Sequence, residues 1–140
     1  MADLSGEQKQ AMQTGIRTQV LPFLQRLATG DARVAWVEQA SVGGEPVDVL
    51  QVQAEGALVR ASFSQKSGLL VRLEQEEPAM FGGGKVPMAR LYSDFREVDG
   101  FTVPYRTERL ARGTRLIEDK VTSPQVNRGV PDSQYQRPAR

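Results

Sequence analysis

Glycine-centred turn pairs recur along this chain at intervals too short for a helix to fit between them. They are Gly43-Gly44, Glu55-Gly56, Lys66-Ser67-Gly68, Asp99-Gly100 and Arg112-Gly113. The runs between them alternate apolar and polar residues. Val34 and Trp36 share one phase, and Val47 and Val49 continue after the first turn. Val59, Ala61 and Phe63 alternate, as do Leu69, Val71 and Leu73 against Leu70, Arg72 and Glu74. A period of two is the mark of a strand with one face turned to a core. Parallel neighbours need crossover connections of a dozen residues or more. Turns this tight therefore predict an antiparallel meander. Three longer strands are expected at Met88 to Val98, Phe101 to Leu110 and Thr114 to Ser123, with Asp99-Gly100 as a two-residue hairpin.

The period before Gly30 is different. Ser5 and Gln8 form a capping-box pattern, and Met12, Ile16 and Val20 recur every four residues. Pro22 predicts the start of a second short helix, Phe23, Leu24 and Leu27 its buried face, and Gly30 its stop. The expected fold is α+β, mainly β. One N-terminal helix or two short ones pack on a curled antiparallel sheet of about seven strands, a half-barrel. The expected organisation is one domain over 1–140: a helical segment over 1–30, the sheet over 32–123 and an extended tail over 124–140.

Chemistry is constrained mostly by what is missing. The 140 residues contain no histidine and no cysteine. That removes the usual general base, the thiolate nucleophile and the commonest metal ligands, so neither an enzyme nor a metal or other cofactor site is expected. The formal net charge is +1, from 18 basic and 17 acidic residues, which gives nucleic acid no overall electrostatic attraction. No run approaches the roughly 20 apolar residues of a membrane span. The opening Met-Ala-Asp-Leu-Ser-Gly-Glu lacks the basic and apolar regions of a signal peptide.

Several motifs resemble sites and read better as structure. Gly82-Gly83-Gly84-Lys85 suits a phosphate loop in its glycines, but Val86-Pro87 follow where a Ser or Thr and a helix start are needed. It is read as a hairpin loop with Met80 and Phe81 at its tip, a lid or partner contact. Asp94, Glu97 and Asp99 read as solvated charge. Arg106, Glu108, Arg109, Arg112 and Arg115, with Glu118, Asp119 and Lys120, read as a solvent-facing charged hairpin. Trp36, Tyr92, Phe95, Phe101 and Tyr105 read first as packing of a curled sheet.

The segments Phe63-Ser64-Gln65-Lys66-Ser67-Gly68-Leu69-Leu70-Val71-Arg72-Leu73 and Tyr92 through Tyr105, with the closing Val126-Asn127 and Pro131 to Pro138, resemble the C-terminal half of the LolA/LolB/RseB-like superfamily. That group includes the outer-membrane lipoprotein-sorting proteins, and similar segments occur attached to pitrilysin-type peptidase chains. The resemblance covers about the last half of the chain. It implies a half-open barrel with a helical lid and an apolar concave face for an acyl chain or a protein. It also implies the periplasm or cell envelope if a signal peptide precedes this segment in the full gene product, and otherwise the cytoplasm is expected. The family barrel has more strands than are counted here, so the chain resembles a partial member. Two partners follow. In the first, a lipid or lipoprotein acyl chain lies between a wall of Leu69, Val71 and Leu73 and a wall of Phe101, Val103 and Tyr105, with Trp36 alongside. In the second, the domain's own helix fills that face and the module docks another protein, for example as an accessory domain of a larger chain.

Overall fold

The computed structural model describes residues 20–54, 57–79, 84–124 and 129. Among the described residues there are one helix and seven strands: α1 (Val20–Thr29), β1 (Arg33–Val42), β2 (Glu45–Ala54), β3 (Ala57–Ser64), β4 (Leu70–Pro78), β5 (Lys85–Val98), β6 (Phe101–Ala111) and β7 (Thr114–Lys120). The strands form one antiparallel sheet in chain order, β1 to β7, unclosed and curled. The expected meander is what the turns produce. The expectations for Met12, Ile16, the Met80–Phe81 loop and the tail beyond Pro124 lie outside the described residues.

Helix α1 ends at Gly30, whose φ of +76° is the left-handed value that glycine adopts without penalty. Pro22 lies in its first turn, where a missing amide costs nothing. Phe23 is buried and Leu27 half-buried against the sheet. Leu24, expected on the buried face, is exposed. It lies about 100° round the helix from Phe23, with Leu27 between them, and so stands at the rim of the buried stripe.

Phe23 packs with Val52, Val59, Ala61, Leu70, Leu73 and Tyr92. Directly paired residues of neighbouring strands share a face, and the pairs Val52↔Val59 and Ala61↔Leu73 assign these side chains to the α1 face. A second cluster, Val47, Val49 and Val71 with half-buried Val37 and Val42, lies on the opposite face. Val47 is 0% exposed and Leu73 1%. Burying side chains of this size stabilises by about 1.5–3 kcal/mol each. The strongest burial therefore runs through β2, β3 and β4.

Three extra residues break the alternation. Trp36 pairs with Leu50 and Glu38 with Val49, leaving Val37 between them. Ser62 pairs with Arg72 and Phe63 with Leu70, leaving Val71 unpaired. Arg109 pairs with Ile117 and Leu110 with Arg115, leaving Leu116. A bulge of this kind advances the strand by one residue without a partner and resets which side chains share a face.

Candidate functional site

The bulge in β4 corrects one expected wall. Leu69, Val71 and Leu73 do not line one side. Leu73 lies beneath Phe23 on the α1 face, whereas Val71 sits among Val47 and Val49 on the other. Leu69 precedes β4 in the turn, half-buried, its carbonyl accepting a hydrogen bond from the Ser64 amide at 2.9 Å. The second wall stays together. β5 and β6 keep one register from Met88↔Ala111 to Val98↔Phe101, with the ladder interrupted at Asp94, whose φ is +52°. Phe101, Val103 and Tyr105 therefore share the α1 face with Tyr92. Phe101 is 52% exposed, and the Arg96 guanidinium stacks over the Tyr105 ring at 4.3 Å. Trp36 is on the α1 face beside Leu50, on the outermost strand, and is 62% exposed. Trp36 and Phe101 thus do not pack as core aromatics, whereas Tyr92 does, and its burial pushes its hydroxyl pKa up.

A trough of about 390 Å³ lies across β3 to β6 on the face away from α1. That volume falls within the range of small-molecule pockets. Its floor is a row set by register: Arg60 pairs with Glu74, Glu74 with Ala89, and Ala89 with Leu110. Leu58 forms one apolar side, and Pro87, paired with Glu76, forms another. Ala89 is buried, and as the smallest side chain of its row it leaves the depression in the floor.

Charge collects at one end of the trough. Arg72 pairs with Glu74 at 2.7 Å, and Arg60 with Glu38 at 2.6 Å. Beyond Leu110 the same face carries an ion-pair network on the β6–β7 hairpin. There Arg106 reaches Glu118 at 2.8 Å and Glu108 at 3.0 Å, and Arg115 lies 3.4 Å from Glu108. These groups pair with one another as a solvent-facing charged hairpin should. Among the described residues no group of three or more acidic side chains is placed to hold a metal ion.

Leu58, Pro87, Ala89 and Leu110 were not among the expected site residues. One signal for them is present in the sequence. The two-residue Asp99-Gly100 turn fixes Val98 opposite Phe101, and stepping back along both strands brings Ala89 opposite Leu110.

No protein-family model and no curated protein matches the chain. Among solved structures, it is similar to a LolA superfamily protein from Nitrosomonas europaea, with a TM-score of 0.45 and 17% sequence identity, over 78% of this chain and 50% of that one. The chain thus spans about half the length of that protein. Among the described residues no helix is long and apolar enough to cross a membrane.

Proposed function

We propose that this domain is a non-catalytic binding module of the bacterial envelope that takes the acyl chain of a lipid or lipoprotein. The observation that carries the reading is the apolar trough of Leu58, Pro87, Ala89 and Leu110. The resemblance of its strand-and-turn segments to the lipoprotein-sorting superfamily supports the same class of ligand. Each methylene moved from water onto such a surface gains about 0.8 kcal/mol, so an acyl chain needs no polar motif to bind. Leu73 is closed off by Phe23, which moves the favoured seat from the expected α1-face walls to the opposite side.

The second reading, a protein-docking module, has its own observation. The unclosed sheet leaves β1 and β7 as its outermost strands, and both present apolar side chains to water: Val34 and Trp36 on β1, Leu116 and Ile117 on β7. Edge strands of this kind accept an added strand from a partner. One experiment separates the two. A fluorescent fatty-acid probe should bind the purified protein saturably, and native mass spectrometry should show retained lipid. Ala89→Leu, which fills the floor, and Leu58→Arg, on an exposed wall, should each weaken the probe at least about tenfold. If bare protein is seen and the probe does not saturate, the acyl-chain reading fails and the docking reading replaces it.

A further inference from the structure

The trough is polarised along its length. Its β3–β4 end carries Arg60, Arg72, Glu74 and Glu76 beside the apolar wall of Leu58, and its β5–β6 end carries Pro87, Ala89 and Leu110 with no charged side chain. Three strand spacings separate β3 from β6, about 14 Å. Both signs of charge meet at the polar end. Arg60 holds Glu38 in a pair open to water on both partners, and Arg72 holds Glu74 in a half-exposed one. Pairs this exposed gain little from each other and exchange readily for a new counter-charge. Glu76 is exposed, pairs in register with Pro87, and faces the same trough.

We propose that the trough binds a single-chain zwitterionic amphiphile in one orientation. The tail lies over Pro87, Ala89 and Leu110. The anionic part of the head meets Arg60 and Arg72, and the cationic part meets Glu76. The inference rests on the acyl-chain reading and adds the head-group class to it. A simple carboxylate head finds the two arginines but also meets the Glu74 and Glu76 charges. A simple ammonium head finds the glutamates and meets Arg60 and Arg72. Only a head carrying both signs is matched on both sides, and mismatched charge is what discriminates between otherwise equal ligands.

The test uses three competitors of equal chain length, each below its micelle concentration: a lysophosphatidylethanolamine, a fatty acid and an alkyltrimethylammonium. Each displaces a fluorescent acyl probe from the whole protein. The zwitterion should compete about tenfold more tightly than either single-charge amphiphile. Glu76→Lys, an exposed substitution that leaves the core untouched, should reverse the order so that the fatty acid binds best. Equal competition by all three heads, with the probe still blocked by Ala89→Leu, overturns the head-group inference and leaves the acyl-chain reading standing. An unchanged order in Glu76→Lys overturns the orientation proposed here. Failure of the probe to bind at all overturns the acyl-chain reading and this inference with it.

Discussion

Strands β2, β3 and β4 and the hairpin β6–β7 belong to one hydrogen-bonded sheet, yet they are held in different ways. In the first region Val47, Val52, Ala61 and Leu73 are almost wholly removed from water, and two hydrophobic clusters sandwich the strands from both faces. In the second no residue is buried. Every position of β7 is exposed, and the side chains hold one another through the Arg106, Glu108, Arg115 and Glu118 ion pairs. Apolar burial is strong and carries no charge to screen or titrate, whereas exposed ion pairs are weak and sensitive to salt and pH. The fold is therefore anchored in its first half, and the second half is left to present a surface. The trough spans the boundary. Its charged end stands on the anchored strands β3 and β4, and its apolar end on β5 and β6.

The largest expected effect would break this comparison if it failed. Leu73→Ala removes a fully buried side chain beneath Phe23 and should cost about 2–5 kcal/mol in denaturant unfolding. Leu116→Ala, an apolar residue on the exposed edge strand, should change stability by less than about 0.5 kcal/mol. Similar losses at the two sites would mean that β7 is covered and anchored as firmly as β4.

The same division explains what could be read from the sequence. Turn chemistry is local, so Gly43-Gly44, Lys66-Ser67-Gly68, Asp99-Gly100 and Arg112-Gly113 announced their hairpins, and chain-order pairing followed. Hydrophobic alternation located the buried centre at Val47, Val49, Val59 and Ala61. What alternation cannot report is a bulge. Nothing in Leu69 to Leu73 marks Val71 as the unpaired residue, because the insertion is decided by how β3 lies against β4. A one-residue slip sends a side chain to the other face, and so the expected wall of Leu69, Val71 and Leu73 came apart. Phe101, Val103 and Tyr105 share a face because the β5–β6 pairing keeps one register from a two-residue turn, without a slip. The trough residues were overlooked because they come from four strands. A lone Ala89 carries no chemical signature until register sets it beside Leu110, nor does Pro87 until register sets it beside Glu76.

A smaller effect sharpens the comparison by strengthening the weaker half. The β6–β7 turn places Arg112 at a φ of +49° and Gly113 at +81°. Arginine is strained in the left-handed region, and asparagine is favoured at the first central position of such a turn. Arg112→Asn should stabilise by about 0.5–1 kcal/mol. If the two halves unfold as one unit, the denaturation midpoint of the whole domain rises. If only the hydrogen-exchange protection of β6 and β7 rises, the hairpin opens independently of the core.

The smallest effect concerns acid. The Asp94 carboxylate accepts two hydrogen bonds from the Arg96 guanidinium, at 3.0 and 2.7 Å, and these hold its pKa below the usual carboxylate range. At Glu118 partial loss of water pushes the pKa up, but a hydrogen bond from Lys120 and the charges of Arg106, Lys120 and Arg115 outweigh it and leave the pKa lowered. A carboxyl group with a lower pKa in the folded than in the unfolded chain stabilises the fold at pH values above its unfolded pKa. That contribution is lost as pH falls through the folded value. Both groups belong to β5–β7, whereas the only polar side chains buried among the described residues are the uncharged Ser62 and Ser64 of β3. Lowering the pH below about 4 should therefore loosen β6 and β7 first. The loss should be slight, because water and salt already screen these exposed groups. Amide hydrogen exchange across a pH series, corrected for the intrinsic rate at each pH, measures it strand by strand. Protection should fall in β6–β7 while β2–β4 stays constant, and high salt should shrink the difference. An equal fall in all seven strands would show that the Asp94 and Glu118 pairs stabilise the whole sheet, not the C-terminal half alone.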